Sequence, residues 1–118
     1  MSPITTHVLD TALGKPAAGI NLSLSHLKNP NYDNDQNWQL IATGITNSDG
    51  RTPDLLTGVQ ITSGTYKIRF HTANYLKNHR QPVFYPWVDV VFIFEAADRH
   101  HHIPLLLSPF GYSTYRGS

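Results

Sequence analysis

The 118-residue chain has a formal net charge of +1 and only 14% charged residues, a balance that argues against a nucleic-acid partner. Hydrophobic residues make up 40% of the sequence, which is enough for one folded domain with its own core, and we treat residues 1–118 as that single domain. The absence of cysteine excludes disulfides, thiolate metal ligands and a thiol nucleophile.

The opening segment, MSPITTHVLD, has neither the basic nor the apolar region of a secretory signal, and the apolar run VVFIF is too short to span a bilayer. We therefore expect a cytoplasmic protein. A mature periplasmic form remains an open alternative.

Apolar and polar residues alternate with a period of two along most of the chain, which is typical of half-buried β-strands. A first short strand precedes residue 14, and further strands are predicted over residues 20–27, 38–46, 65–70, 87–95 and 100–107. The polar residues 28–37 predict a long surface loop.

Turn signals and one helical segment separate these strands. Asn47 to Gly50 predict a hairpin turn, and Thr72 is expected to cap a short helix over residues 73–78. Seven or eight short strands with a single helix predict an all-β fold, an antiparallel β-sandwich of two sheets.

The segment WVDVVFIFE, residues 87–95, is apolar on both faces apart from Asp89. The outer face of a sandwich strand is normally polar unless something covers it. We expect another subunit to provide that cover.

Seven histidines stand against eight acidic residues, and three of the histidines are consecutive. If Ile103 faces the core, strand alternation places His101 inward and turns His100 and His102 outward together. A lone pair of this kind is more often a polar outer face than a site. A zinc site is the next alternative, but no carboxylate ligand is evident nearby.

Two further residues are candidates for chemistry. His7 faces outward if Val8 faces inward, and Arg51 follows a turn, where loops often carry function. Each could equally be an ordinary surface residue. The segment GYSTY resembles part of a G-x-S-x-G motif but lacks the final glycine, so a covalent serine mechanism is not favoured.

The segments THVLDTALGKPAAGI, NSDGR and HHHIPLLLSPFGYSTYRGS together resemble the 5-hydroxyisourate hydrolases, the transthyretin-related enzymes of urate breakdown. The resemblance extends over essentially the whole chain. It implies a transthyretin-like sandwich, assembled as a homotetramer (a dimer of dimers) with active sites in a channel between dimers. It also implies hydrolysis of 5-hydroxyisourate to 2-oxo-4-hydroxy-4-carboxy-5-ureidoimidazoline.

The same resemblance implies roles for individual residues. The expected catalytic residues are His7, Arg51, His102 and Ser118, and the expected substrate-binding residues are His100, Tyr115, Arg116 and Gly117. The two catalytic histidines would handle protons, and the reaction would need no cofactor or metal. His101 stands where relatives often have tyrosine. The competing hypothesis is a transthyretin-like carrier that binds a small ligand in the channel without chemistry.

Overall fold

A computed structural model describes residues 2–28, 37–98 and 100–117 of the chain. Its elements, in chain order, are β1 (Ile4–Asp10), β2 (Lys15–Pro16), β3 (Asn21–Leu27), β4 (Trp38–Ile45), β5 (Gly64–His71), α1 (Ala73–Asn78), β6 (Val88–Phe94), β7 (His101–Ser108) and β8 (Gly111–Thr114). Most of the predicted loop over residues 28–37 lies outside the described residues.

The strands form two four-stranded sheets, which confirms the predicted sandwich. We call them the β1 sheet, with the order β2-β1-β7-β8, and the β3 sheet, with the order β4-β3-β5-β6. One pair departs from the antiparallel prediction, because β1 and β7 run parallel in a register that places Thr5 beside His102. The β1 sheet is therefore mixed.

The core lies between the two sheets. Alternation along β1 buries Ile4, Thr6 and Val8 while Thr5 and His7 are only half-buried. Strand β7 buries Leu105 and Leu107 in the same way. Ile68 and Phe70 of β5 meet them from the opposite sheet. At about 25 cal/mol per Å² of apolar surface, side chains of this size each stabilise the fold by roughly 1.5–3 kcal/mol.

Two local predictions need adjustment. Helix α1 has the predicted bounds, but the Thr72 side chain makes no capping hydrogen bond, and its hydroxyl is buried without a partner in the described part of the chain. The predicted turn at Asn47 to Gly50 is present, but it does not form a hairpin between two neighbouring strands. Instead it carries the chain from β4 to the β1 sheet, where Arg51 bridges His7.

The expectation of an apolar face on residues 87–95 is confirmed. Val91 and Ile93 are 55% and 62% exposed, whereas Val88, Val90 and Phe94 are buried. Asp89 is paired with Arg69 through two hydrogen bonds of 2.7 and 2.9 Å. No helix among the described residues is long and apolar enough to cross a membrane.

Candidate active site

A cavity of about 550 Å³ lies on the outer face of the β1 sheet. Its walls come from β1, β7 and two segments that fold over them, and its lining includes Thr5, His7, Arg51, Pro53, His100, His102, Tyr115 and Gly117. Six of the eight predicted site residues therefore converge on one cavity, although they lie in three separate parts of the sequence.

Strand parity brings the imidazoles to this face. His101 is 2% exposed and packs inward, so its neighbours His100 and His102 turn outward with their ring centroids 6.2 Å apart. The same alternation turns His7 outward between the buried Thr6 and Val8. The parity prediction for all four histidines is confirmed. Because His101 faces the opposite way, the three consecutive imidazoles cannot share one metal ion.

The turn before Arg51 is tied together by Asn47. The Asn47 side-chain oxygen accepts hydrogen bonds from the backbone N–H groups of Asp49 (2.9 Å) and Arg51 (3.1 Å). The Gly50 carbonyl then accepts a 2.8 Å hydrogen bond from the Val8 N–H, which joins the turn to β1. Gly50 has a φ of +75°, and a Cβ there would collide with the Val8 carbonyl oxygen. Only glycine lets the turn lie this close to β1 and present Arg51 beside His7.

The segment after β8 closes the other side of the cavity. The Gly117 N–H donates a 2.8 Å hydrogen bond to the His102 carbonyl. Gly117 packs closely against the His102 ring. A Cβ added at Gly117 would lie only 2.5 Å from the ring carbon Cδ2, so a larger residue does not fit there. Tyr115 contributes to the lining and is 57% exposed.

Two predicted site residues are not part of this arrangement. Arg116 does not line the cavity, and its guanidinium instead lies 3.6 Å from the Asp98 carboxylate, where both side chains are more than half exposed. Ser118 lies outside the described residues, so its predicted role stays a prediction.

The environment lowers the pKa of both candidate proton-handling groups. For His102 the causes are partial burial, then the positive charge of Arg51, then its neighbours His100 and His7, while a hydrogen bond with the Thr5 backbone acts in the opposite direction. For His7, partial burial and Arg51 also lower the pKa, and the backbone and charge of Asp49 oppose them. Both imidazoles are therefore neutral at pH 7, the form in which a ring nitrogen can accept a proton.

Thr5 is a further residue of this site, and no motif in the sequence indicates it. Its hydroxyl lies 2.8 Å from Nε2 of His100 and 2.8 Å from Nδ1 of His102. The parity that places His7 outward also places Thr5 outward. Its contact with the histidines, however, depends on the parallel pairing of β1 with β7, which no local pattern indicates.

A metal centre finds no support in the residues described. No group of three or more His, Asp or Glu side chains within residues 2–28, 37–98 and 100–117 is arranged to hold a metal ion. The groups that the cavity does offer are imidazoles, a guanidinium and hydroxyls. Together they can move protons and stabilise negative charge.

Comparison with known proteins identifies the family. The model of the HIUase/transthyretin family, where HIUase denotes 5-hydroxyisourate hydrolase, matches residues 4–117. The chain belongs to this family. It is 53% identical to the 5-hydroxyisourate hydrolase of Mus musculus over 117 residues, which cover 99% of this chain and 96% of the mouse protein.

Solved structures of the HIUase/transthyretin family resemble the fold closely. A crystal structure of sea bream transthyretin in complex with thyroxine matches with a TM-score of 0.86 at 34% identity, covering 98% of this chain and 95% of that one. The 5-hydroxyisourate hydrolase of Klebsiella pneumoniae matches with a TM-score of 0.80 at 29% identity, covering 99% and 100%. The backbone is therefore similar both to a transthyretin and to a hydrolase, and only the side chains of the cavity can distinguish the hydrolase hypothesis from the carrier hypothesis.

Proposed function

We propose that the chain hydrolyses 5-hydroxyisourate to 2-oxo-4-hydroxy-4-carboxy-5-ureidoimidazoline in urate degradation. The observation that carries this proposal is the convergence of His7, His102 and Arg51 on one cavity. Partial burial and the charge of Arg51 lower the pKa of both imidazoles, which favours their neutral form. The 53% identity to a mouse protein named for this activity supports it. The cavity volume also lies within the range of roughly 300–1,000 Å³ that is usual for small-molecule sites.

The chemical step requires a nucleophilic water and a place for negative charge. A neutral imidazole takes a proton from water as the oxygen attacks the carbonyl carbon of a ring amide, and the same group returns a proton when the C–N bond breaks. We assign this role to His7 and His102, two of the imidazoles that line the cavity. General acid–base catalysis of this kind contributes about 10²–10⁴ in rate.

Arg51 supplies the positive charge. Its guanidinium carries a fork of N–H donors that suits the carbonyl-rich substrate and the oxyanion that forms on attack. The same charge lowers the pKa of both His7 and His102, so Arg51 also keeps these groups ready to accept a proton. Loss of one oxyanion donor typically costs about 10²–10³ in rate.

The remaining residues shape the pocket. Tyr115 and Gly117 form one wall, and His100 lies beside His102 on the sheet surface. In the same proposal Ser118 orients water or a histidine. Arg116 would contribute only after leaving Asp98, because the described position of its side chain is outside the cavity.

The carrier hypothesis is not favoured. A pocket for an apolar ligand is normally lined by aliphatic and aromatic side chains with few polar groups. Here three histidines, an arginine and three threonines line the cavity. These are groups for moving protons and binding carbonyl oxygens.

The activity is tested by generating 5-hydroxyisourate with uricase in the presence of the chain and following its ultraviolet absorbance. We expect the signal to decay many times faster than the spontaneous background, in proportion to protein concentration. Decay at the background rate, with saturable binding of the intact compound, would instead support the carrier.

We further propose that the chain works as a homotetramer built from two dimers. In the part of the chain that is described, β6 pairs with β5 on one side only, and Val91 and Ile93 are exposed beside that free edge. Phe110 is also 67% exposed in the turn between β7 and β8. Unpaired apolar edges of this kind tend to pair with another chain.

Sedimentation equilibrium measures this assembly. We expect four times the 13.2 kDa mass of one chain. A fully active monomer at the concentration of the assay would contradict the proposed assembly.

A further inference from the structure

The Thr5 hydroxyl contacts both histidines of β7 at once. It lies 2.8 Å from Nδ1 of His102 and 2.8 Å from Nε2 of His100, and it reaches them across the parallel pair of strands. Both distances are those of well-formed hydrogen bonds. Thr5 is half-buried, and its β-branched side chain has few rotamers available on a strand, so the hydroxyl is held in place.

The number of protons at this contact limits the states of the two rings. A threonine hydroxyl has one proton to donate and two lone pairs to accept with. It can donate to one imidazole and accept from the other, or accept from both, but it cannot donate to both. Two of the three possible arrangements therefore place the proton of neutral His102 on Nδ1.

The other side of the ring is fixed as well. Gly117 packs against the carbon Cδ2, so both ring atoms next to the attachment point have neighbours. The atoms left for the cavity are Cε1 and Nε2. With the proton on Nδ1, Nε2 carries a free lone pair.

We propose that Thr5 is a positioning residue that holds His102 with its proton on Nδ1, and so leaves Nε2 free to accept a proton from water in the cavity. In this arrangement the Thr5 hydroxyl donates its proton to Nε2 of His100 and accepts a hydrogen bond from Nδ1 of His102. The role of this contact in turnover rests on the proposed hydrolase function, whereas the position of the proton on His102 does not.

Substitution of Thr5 by valine tests this proposal, since valine keeps the shape of the side chain and removes the hydroxyl. Thr5→Ser restores the hydroxyl, and Thr11→Val is the matched control. Thr11 also hydrogen-bonds to β7, through the Leu107 carbonyl at 3.0 Å, but it lies outside the cavity. All four proteins are checked for folding by thermal melting.

The first readout is the ¹⁵N chemical shifts of the histidine rings at a pH above their titration. We expect His102 to carry its proton on Nδ1 in the wild-type protein, in Thr5→Ser and in Thr11→Val. In Thr5→Val we expect the proton to move largely to Nε2, the position that an unconstrained histidine side chain prefers. A wild-type His102 protonated on Nε2 overturns the proposal, and this measurement needs no variant to fold.

The second readout is kcat and kcat/KM as functions of pH. Loss of the hydrogen-bond partner that orients a metal-bound histidine typically costs about 10–100-fold in activity. By analogy we expect Thr5→Val to lose kcat in that range while KM changes little. Thr5→Ser should remain within a few-fold of wild type.

Loss of activity in Thr5→Val with an unchanged proton position on His102 contradicts the proposal, as does full activity in that variant. A wild-type protein with its proton on Nδ1 of His102 but without hydrolase activity would refute the proposed function alone.

Discussion

On the outer face of β7, the rings of His100 and His102 stand over an open cavity with a shared threonine between them. On the inner face of the same strand, His101 is 2% exposed and packs 4.7 Å from the ring of Phe94. Its Nε2 accepts a 3.3 Å hydrogen bond from the Glu95 N–H, so its proton sits on Nδ1. That Nδ1 is buried without a partner among the described residues.

The comparison shows that residue type alone does not make a site. His101 and His102 both have a lowered pKa, and partial or complete burial is the first cause in each case. Only His102 combines a neutral ring with a fixed orientation and a nitrogen directed toward solvent-accessible space. The same substitution should therefore affect mainly turnover at His102 and mainly the pH dependence of stability at His101.

The largest effect is expected for His102→Phe. Phenylalanine preserves a flat ring against Gly117 but has no nitrogen to accept a proton, so kcat should fall by about 10²–10⁴. Thermal melting should change little, because His102 is only half-buried. The measurement is the rate of decay of freshly generated 5-hydroxyisourate. Turnover close to wild type would remove His102 from the mechanism.

A smaller loss is expected for Arg51→Gln. Removing the guanidinium takes away an oxyanion donor, so we expect kcat/KM to fall by about 10²–10³. Because the positive charge of Arg51 lowers the pKa of both His7 and His102, its removal should raise both values. The acid limb of the pH profile of kcat/KM should therefore move to higher pH. A loss of rate with an unmoved acid limb would show that Arg51 does not act on these histidines.

The smallest effect on turnover is expected for His101→Phe, the same substitution on the inner face. We expect activity within a few-fold of wild type and a changed dependence of stability on pH. Burial, Arg116 and His100 lower the pKa of His101, whereas Asp98 and Glu95 raise it. A lowered folded-state pKa means that the unfolded chain binds the proton first as the pH falls below about 6.5.

Because the pKa of His101 is lower in the folded protein than in the unfolded chain, acidification favours unfolding. The wild-type protein should lose stability as the pH falls from about 6.5 toward the lowered pKa of His101, with no contribution from this group above that window. His101→Phe should reduce that slope by at most about 1.4 kcal/mol per pH unit, the value for one proton. Chemical denaturation at several pH values measures it. Equal slopes of stability against pH in the two proteins would mean that His101 binds its proton as readily in the folded protein as in the unfolded chain.

Local patterns in the sequence predicted a large part of the fold and of the site. Alternation placed His7, His100 and His102 outward and His101 inward, because a strand reverses the direction of its side chains at every residue. Motif resemblance pointed to Arg51 and Gly117. These assignments depend only on neighbours in the sequence or on short motifs.

The rest depended on contacts between distant segments. The parallel pairing of β1 with β7 is a property of strand order, so Thr5 could not be recognised as a partner of His102 from the sequence. The turn at Asn47 has the composition of a hairpin, yet the bond from Val8 to Gly50 attaches it to the other sheet. Arg116 was expected in the cavity because it is part of the C-terminal motif, but its guanidinium lies beside the Asp98 carboxylate instead.

The hydrogen bonds of Thr5 to His100 and His102 join positions 95 and 97 residues apart in the chain. During synthesis, β1 leaves the ribosome long before β7, and it has to wait for that strand before the two can pair. A nascent chain consequently holds no working site until the entire sandwich can close. Hydrolysis of substrate would thus serve as a direct report of complete folding, without a separate structural probe.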